Sequence, residues 1–389
     1  MRFPGFEDAW EVKKLGEVAT NFMYGMNTAA TVYDGENQYI RITDIDERTR
    51  LFTPNPLSSP DGELEDKYLL EKGDILFART GASVGKSYLY SEKDGKIFFA
   101  GFLIRLNVKT ENPYFIFSQT LTEKYQKWVL TMSMRSGQPG INAEEYKLLP
   151  IALPSFEEQS EIAFFLSKID ERIQTQSKII EGLKKLKVAT AKKIFSQEFR
   201  FKDNNGNDFS KWEEMKLKNI VIIQMGQSPD SSSYNFENIG IPLIQGNADI
   251  LNRKSNPRQY TSKPTKFCGV GDLLLTVRAP VGYVGKSKHY ACIGRGICSV
   301  KNNDKSILEF IYQFLLYFED KWKSIEQGST FTAVNSSDIN SINILLPSIP
   351  EQTKIANFLS AIDSKIDMEN QLLQKLEEQK KFLLQNMFV

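Results

Sequence analysis

The sequence predicts an α+β protein built from two copies of one unit, each a globular domain followed by a long helix. A segment is duplicated: LPSFEEQSEIAFFLSKID begins at Leu153 and LPSIPEQTKIANFLSAID begins at Leu346. Of the 18 aligned positions, 12 are identical, where unrelated segments of average composition share about one. The offset of 193 residues is far too long for a solenoid or propeller repeat. We therefore predict globular domains at 1–152 and 199–345, and repeated helices at 153–198 and 346–389.

Weaker matches extend the repeat into the globular domains. WEVKKL from Trp10 recurs as WEEMKL from Trp212, and GDILFARTG from Gly73 recurs as GDLLLTVRAPVG from Gly271. The tripeptide GKS occurs at 85–87 and again at 285–287. Since the helices are kept while the domains have diverged, the pattern suggests one task performed twice on two different targets.

Both repeated helices carry a heptad pattern of apolar residues, which is typical of a coiled coil. Apolar residues recur in steps of four and three from Ile162 to Ile194, and at the same positions from Ile355 to Met387. The polar interruptions are Gln176, Lys187, Thr190, Glu369 and Lys380. We predict that the helices run antiparallel with approximate two-fold symmetry, because domain 199–345 can then enter and leave at one end, and domain termini usually lie close together.

Two further predictions concern these helices. Ser155 with Glu158, and Ser348 with Glu351, have the spacing of a capping box at each helix start. Gln176 and Glu369 share one heptad position near the middle of their helices, and a polar residue in a seam typically fixes the register. Apolar side chains away from the seam suggest a partner surface. They are Phe164, Phe165, Phe358 and Phe382.

Each globular domain mixes short strands with polar loops and one amphipathic helix, an α+β pattern. The predicted strands are Gln38 to Ile42, Asp74 to Ala78, Phe98 to Leu106, Asp272 to Val277 and Ile293 to Val300, and the helices are Tyr114 to Leu130 and Ile307 to Ile325. Late in each domain lies a Gly-containing loop, SGQPGIN or QGSTFTAVN. Such loops can approach a nucleic-acid groove and offer donors and acceptors, or they can be ordinary turns.

Composition limits the class of protein. The 389 residues can hold two domains of about 150 residues with connecting elements. The net charge of +1 gives no overall field for nucleic acid, but the stretch from Leu251 to Arg295 holds nine Lys or Arg against the single acid Asp272. That stretch is either a local basic binding surface or a solvated face.

Cysteine usage and hydropathy indicate a soluble, cytoplasmic protein. The cysteines, Cys268, Cys292 and Cys298, show no CxxC spacing, so we expect neither disulfides nor zinc. No 18 apolar residues occur together, and no apolar run follows the N-terminal charges, so no membrane segment or leader is expected.

Motifs of catalysis are incomplete in this sequence. The segment from Gly81 to Lys86 resembles a P-loop, but only three residues separate its glycines where four are needed. The run Asn112-Pro113-Tyr114 resembles the Asn-Pro-Pro-Tyr signature of adenine methyltransferases but lacks the second proline, and no Gly-rich cofactor loop follows a strand. One histidine, His289, leaves little acid–base or metal chemistry. We therefore predict a binding protein without catalytic or metal-ligating residues.

The two diverged domains, the repeated helices opening LPxxxEQxxIAxFLSxID and the paired Gly-Asp strands resemble the specificity (S) subunit of type I restriction-modification systems, over essentially the whole chain. The resemblance implies that each domain is a target-recognition domain for one half of a bipartite, asymmetric double-stranded DNA site. It also implies that the helices set the spacer and dock two M (methyltransferase) subunits, which R (motor-nuclease) subunits join. S-adenosylmethionine, ATP and Mg²⁺ would then belong to those partners, and this chain would bind no cofactor.

Candidate DNA contacts are Arg and Lys, which suit guanine or phosphate, and Gln, Asn, Ser and Thr of the polar loops. They are Arg41, Arg79, Ser83, Lys86, Arg105, Arg135, Gln138, Asn142, Gln245, Asn247, Arg253, Lys254, Arg278, Lys286, Arg295, Gln327, Ser329, Thr330 and Asn335. Arg79 and Arg278 form one expected pair of base contacts, and Lys86 and Lys286 one pair of phosphate contacts. A stand-alone bipartite DNA-binding regulator, or a coiled-coil scaffold, is the alternative function.

Overall fold

The computed structural model describes residues 2–134, 138–327 and 333–388, with the backbone alone from 323 to 327. The chain forms two compact units, Met1–Ser177 with Gln371–Val389, and Lys178–Asn370. Each unit contains one globular head and one half of each long helix.

The head of unit 1 is centred on a four-stranded antiparallel sheet in the order β2-β9-β6-β7, beside the two-stranded pairs β1-β10, β3-β5 and β4-β8. Its strands are β1 (Glu11–Lys14), β2 (Thr20–Tyr24), β3 (Ala30–Val32), β4 (Gln38–Ile40), β5 (Ser58–Pro60), β6 (Asp74–Ala78), β7 (Ser87–Leu89), β8 (Ile97–Phe99), β9 (Leu103–Asn107) and β10 (Pro150–Leu153). Its helices are α1 (Leu15–Val18), α2 (Pro113–Gln119), α3 (Glu123–Ser133) and α4 (Ala143–Lys147), and α5 (Phe156–Phe195) follows.

The head of unit 2 has a six-stranded sheet, β12-β22-β19-β20-β16-β15, a five-stranded sheet, β13-β17-β14-β21-β18, and the pair β11-β23. Its strands are β11 (Glu213–Lys216), β12 (Val221–Met225), β13 (Tyr234–Asn235), β14 (Ile241–Ile244), β15 (Ile250–Leu251), β16 (Lys254–Ser255), β17 (Gln259–Thr261), β18 (Phe267–Cys268), β19 (Leu273–Thr276), β20 (Val284–Lys286), β21 (Ala291–Ile293), β22 (Ile297–Asn302) and β23 (Asn343–Leu346). Its helices are α6 (Leu308–Gln327) and α7 (Ser336–Asn340), and α8 (Ile349–Met387) follows.

The predicted elements are largely confirmed. Strand β6 has the predicted bounds, and α5 runs from Phe156 to Phe195 as the heptads indicate. The predicted strand from Phe98 to Leu106 is two strands, β8 and β9, joined by a turn at 100–102, and the predicted strand from Ile293 to Val300 is also split between β21 and β22 by residues 294–296. The predicted helix from Tyr114 to Leu130 is likewise two helices, because Thr122 caps α3 by accepting a hydrogen bond from the backbone of Tyr125.

The seam of each long helix is buried. In unit 1 Ile162, Leu166 and Leu383 belong to the same core as the sheet of the head, and in unit 2 Ile355 and Leu359 do so. Interhelical ion pairs show the direction: Asp170 binds Lys380 in unit 1, and Lys187 binds Asp363 in unit 2. From the first pair to the second, the residue number rises from 170 to 187 on α5 and falls from 380 to 363 on α8, so the two helices run antiparallel, as predicted.

The predicted capping boxes are wrong. Ser155 does accept a hydrogen bond from the backbone of Glu158 at 3.3 Å, but the Glu158 carboxylate turns to Arg2, which it binds through two nitrogens at 2.8 and 2.6 Å. In unit 2 the carboxylate of Glu351 binds Arg200. A buried carboxylate gains more from a guanidinium than from one backbone amide, so a long-range arginine replaces the local cap.

The residues that follow these arginines cover two of the predicted partner-surface phenylalanines. Phe3 packs edge-on against Phe165 with ring centroids 5.7 Å apart, and Phe201 packs on Phe358 at 5.5 Å. Phe165 and Phe358 are therefore partly covered by their own chain, which the sequence did not indicate. Phe164 remains 62% exposed and belongs to the open surface.

Two glycines are required where the first central strand of each head ends. A Cβ at Gly25 would lie 2.3 Å from the carbonyl oxygen of Phe99, and a Cβ at Gly226 would lie 2.2 Å from that of Gly294. These distances are far below van der Waals contact, and backbone cannot move aside as a side-chain tip can. The matching positions indicate that both heads use the same close approach.

We expect Gly226→Ala to lower the free energy of unfolding by about 3 kcal/mol, the upper end of overpacking costs. Denaturant unfolding followed by circular dichroism measures it. Gly182→Ala is the control: it lies in α5, where an added Cβ would meet no other atom within 4 Å, and alanine there should stabilise by up to about 1 kcal/mol. Equal effects of the two substitutions would contradict the close approach.

Candidate DNA interface

In unit 1, five segments meet at one end of the central sheet and form what we call loop cluster 1: residues 24–26, 41, 79–81, 100–102 and 138–142. Backbone hydrogen bonds join them. The amide of Ala100 donates to Ile40 (3.0 Å), that of Gly101 to Met26 (2.7 Å), that of Arg79 to Phe102 (3.1 Å) and that of Ile141 to Arg79 (2.9 Å). The predicted strand arginine and the late Gly loop therefore lie side by side.

Unit 2 has the equivalent loop cluster 2: residues 225–228, 245, 277–278, 294–296 and 333–335. The amide of Gly294 donates to Ile244 (2.8 Å), that of Gln227 to Ile293 (2.9 Å), that of Val277 to Gly296 (2.9 Å) and that of Val334 to Val277 (2.9 Å). The same framework thus presents five loops in each unit. Arg41 and Gln245 occupy equivalent positions, since the backbone amide of each donates to the carboxylate of an aspartate that follows, Asp44 or Asp249.

This equivalence corrects two of the pairings read from the sequence. Ile141 bonds to Arg79 where Val334 bonds to Val277, so the counterpart of Arg79 is Val277, and Arg278 stands one position further on. Successive residues of an extended strand point to opposite faces. In the hairpins Phe77 pairs with Ser87 while Leu275 pairs with Val284, so Lys86 and Lys286 are not counterparts either.

The guanidinium of Arg79 lies close to two aromatic rings. Its guanidinium carbon lies 4.9 Å from the ring centroid of Tyr24 and 5.8 Å from that of Phe102. Its Nε is buried without a hydrogen-bond partner, and no residue in the described part of the chain accepts from its terminal nitrogens. Phe102 is 59% exposed. Loop cluster 1 therefore presents a stacked guanidinium beside an exposed aromatic ring.

Loop cluster 2 presents a different surface. Arg278 and Arg295 are exposed, and neither side chain forms an ion pair or hydrogen bond with any described residue. Gln245 is half-buried, and its amide nitrogen donates to Gln259 at 3.2 Å. Gln227 is exposed beside them. This cluster is polar and cationic where the other is aromatic.

Several predicted residues of unit 1 are bound within the protein. Arg41 forms two hydrogen bonds of 2.8 Å with Asp44, and this carboxylate raises the pKa of the guanidinium. Lys86 is buried and donates to the carbonyl of Ile45. Arg105 is also buried and donates to the carbonyl of Leu69 at 3.1 Å. Burial places Lys86 and Arg105 behind the surface, so neither can reach DNA without a rearrangement of the head.

Three predicted cations of unit 2 are also paired. Arg253 lies 4.0 Å from the ring centroid of Tyr283 and binds Glu319, and Lys286 binds Glu309. Lys254 forms a longer pair of 3.6 Å with Asp367 of α8 and stays half exposed. The basic stretch from 251 to 295 is therefore partly engaged in internal pairs.

The remaining predicted residues lie in or beside the two clusters. Asn142 and Asn335 cap α4 and α7, accepting from the backbones three residues on. Gln138 is exposed and Ser83 half-buried near Gly81, and the Oδ1 of Asn247 is buried without a partner. Arg135, Ser329 and Thr330 lie outside the described residues, and the side chain of Gln327 is not described.

Four residues of the clusters were missed by sequence reasoning: Tyr24, Phe102, Gln227 and Ser228. Each lies within two residues of a glycine beside a strand: Gly25 after β2, Gly101 between β8 and β9, or Gly226 after β12. An exposed aromatic or polar residue near a strand-ending glycine was the available signal. The hydroxyl of Ser228 accepts a hydrogen bond from the amide of Arg295 at 3.1 Å and so joins two loops of its cluster.

No group of three or more His, Cys, Asp or Glu residues in the described ranges is placed to hold a metal ion. Burial raises the pKa of Cys298 to about 12, so this thiol stays protonated. No helix found in those ranges has the length and apolar character needed to cross a membrane.

Comparisons with known proteins agree on one family. The family model described as type I restriction modification DNA specificity domain matches residues 7–185 and again 209–378. The putative type I restriction enzyme MjaX specificity subunit of Methanocaldococcus jannaschii is 36% identical, over 82% of this chain and 78% of that protein. The MjaVIII specificity subunit of the same organism is 24% identical, over 96% of this chain and 91% of that protein.

Solved structures share the fold. The type I restriction-modification S subunit from M. genitalium has a TM-score of 0.64 at 18% identity, covering 100% of this chain and 97% of that one. A chain from a structure on complex assembly and conformational transition of the type I R-M system has a TM-score of 0.63 at 22% identity, covering 97% of both chains. The two matches to the family model span most of the sequence, once for each head. The chain therefore belongs to the type I restriction-modification DNA specificity family: it is a specificity (S) subunit, the non-catalytic component that provides sequence-specific DNA recognition.

Proposed function

We propose that loop clusters 1 and 2 each read one half of a bipartite, asymmetric DNA target. The observation that carries this proposal is the shared framework with different side chains: a ring-stacked Arg79 in one cluster, and exposed Arg278 and Arg295 in the other. A common framework aligns the loops with DNA in the same way, while different donors and acceptors select different bases.

The candidate residues differ in how far their side chains are exposed to solvent. Arg79, Arg278 and Arg295 are the base-reading arginines, and Gln138 and Gln245 are amides suited to adenine. Lys254, whose side chain is half exposed, is the proposed phosphate contact. Arg105 and Lys86, which are buried, support the heads from within and are not part of the proposed contact set.

In the same proposal α5 and α8 set the unread spacer and dock two M subunits, which R subunits join. Exposed apolar side chains on the helices support docking, since a rod without partners would expose them to water. They are Phe164, Ile179, Leu186, Val188, Met368 and Phe382. S-adenosylmethionine, ATP and Mg²⁺ are assigned to the partner subunits, and the cytoplasm, where cellular DNA lies, is the implied compartment.

The proposed function is tested by sequencing methylated adenines in the DNA of cells that express this chain with its M subunits. We expect one motif of two defined halves separated by a spacer of fixed length. A single continuous motif, or no motif, would contradict the bipartite proposal.

We expect Arg79→Ala to weaken binding to the cognate site by about 1–3 kcal/mol and to relax one base position in one half-site. The planar fork of Arg79 is oriented by the two rings, so Arg79→Lys should keep the charge but lose the base preference. Arg278→Ala should act in the same way on the other half-site. Binding of the assembled complex to DNA with single base substitutions measures both effects.

Lys109→Ala is the matched control for these arginines. Lys109 is exposed just beyond the end of β9 that lies away from loop cluster 1, so its loss should leave the base preference unchanged. Equal weakening on all DNA sequences, with a shallower salt dependence, would instead make Arg79 a phosphate contact. Unchanged affinity would make it a structural residue.

A further inference from the structure

Two ion pairs between α5 and α8 are copies of each other. Asp170 and Asp363 are 193 residues apart, and so are Lys187 and Lys380. The Lys380 ammonium lies 2.6 Å from the Asp170 carboxylate in unit 1. In unit 2 the Lys187 ammonium lies 2.6 and 2.8 Å from the two oxygens of Asp363. The duplication has therefore kept one charged contact in both halves of the helix pair.

Each aspartate also binds the head of its own unit. The hydroxyl of Tyr114, at the start of α2, donates to Asp170, and burial raises the pKa of Tyr114, so the phenol keeps its proton. The amide of Gln313, buried on α6, donates to Asp363 at 2.9 Å. Each aspartate thus joins three elements: its own helix, the opposite helix and the recognition head.

These pairs occupy a seam that is otherwise largely apolar. The lysine side chains are only 15% and 17% exposed, at Lys187 and Lys380. A paired charge in such a seam adds little stability, but an unpaired one is costly, so it discriminates against other registers. Sliding one helix by a heptad moves each lysine about 10 Å from its aspartate.

That Gln176 and Glu369 fix the register stays a prediction. Glu369 forms an ion pair with Lys365, which lies four residues earlier on the same helix. Lys187 and Lys380, which the sequence shows only as interruptions of the heptads, form ion pairs with the opposite helix.

We propose that Asp170–Lys380 and Lys187–Asp363 are register keys that position the heads on the helices and thereby determine the length of the unread DNA spacer. The inference rests on the proposed function, because a spacer exists only if both heads read DNA. The four residues are positioning residues, since none belongs to a loop cluster.

The test uses the assembled complex with its M subunits and a DNA library in which both half-sites are separated by spacers of different lengths. We expect the double variant Lys187→Met with Lys380→Met to recover neighbouring spacer lengths several-fold more often than the natural chain, with unchanged half-sites. Methionine keeps the seam filled but removes the charge. Lys187→Arg with Lys380→Arg keeps the charge and should restore a single spacer.

The matched control is Lys185→Met with Lys168→Met. These lysines pair within α5 and are 76% and 51% exposed, so one spacer should remain. If the methionine variant does not fold, Asp170→Asn with Asp363→Asn, which is close to isosteric, is measured in the same assay.

A variant that melts at a lower temperature yet selects the single natural spacer would overturn the proposal and leave the pairs a purely structural role. Failure of the natural chain to select any two-part site would instead count against the proposed function.

Discussion

Exchanging residues 20–149 for the corresponding head of another specificity subunit is expected to change one half of the DNA target completely and to leave the other half and the spacer unchanged. Loop cluster 1 lies entirely within this segment, and loop cluster 2 lies entirely in unit 2. One half of the target should change because the exchange replaces all five loops of loop cluster 1. Strands β1 and β10 lie outside the exchanged segment and still pair with each other. Methylated-adenine sequencing of cells that carry the hybrid measures both halves at once.

The boundaries of the exchanged segment follow from the contacts of the residues that flank it. The segment before residue 20 binds the long helices: Arg2 holds Glu158, and Trp10 packs on Phe388 of the C-terminal segment. Tyr114 should be retained within the exchanged head because it binds Asp170.

A second hybrid, exchanged in the same way but with Tyr114 replaced by Phe, separates recognition from positioning. We expect it to read the same new half-site with a less strictly defined spacer. If both half-sites changed together in the first hybrid, the heads would not be independent readers.

The helices could be predicted almost to the residue because their information is local and repeated. Heptad spacing specifies which face is buried, and a proline two residues before Phe156 and Ile349 marks where each helix can begin. The partner of each helix followed from chain connectivity alone. Features of this kind can be predicted without knowing which distant residues lie nearby in the fold.

The local geometry of the interface depends on distant residues and was predicted less well. Arg79 lies six residues after Gly73 and Arg278 seven after Gly271, so counting from the Gly-Asp pairs already separates them, and the bonds to Ile141 and Val334 show the same shift of one position. The sequence does not distinguish Arg105 from an arginine on an exposed strand face, because the alternation of side chains along β9 does not show which face of the strand is covered. Arg105 is buried because the loop that carries Leu69 covers it and accepts its hydrogen bond.

The capping-box predictions were wrong for the same reason. Ser155 and Glu158 satisfy the capping spacing, but Arg2, which is 156 residues away from Glu158 in sequence, competes for the carboxylate with a stronger charge-assisted bond. A motif that depends on one weak local bond is overridden when the fold brings an opposite charge to a buried site.

Removing one heptad from both long helices is expected to shorten the spacer by about three base pairs. Asp170 and Lys187 are 17 residues apart on α5, as are Asp363 and Lys380 on α8. Deleting 175–181 together with 368–374 leaves ten residues in each interval, so both ion pairs can form again. Seven residues correspond to about 10 Å of helix at 1.5 Å per residue, and base pairs stack at about 3.4 Å.

The single deletion of 175–181 is the informative comparison. The intervals between the keys then differ by seven residues, so the two pairs cannot form at once, and we expect weaker binding spread over several spacer lengths. The double deletion should select one new length, with reduced affinity because three base pairs turn a half-site by about a third of a helical turn. Selection of the natural spacer by the double deletion would show that the M subunits, and not the helices, hold the heads apart.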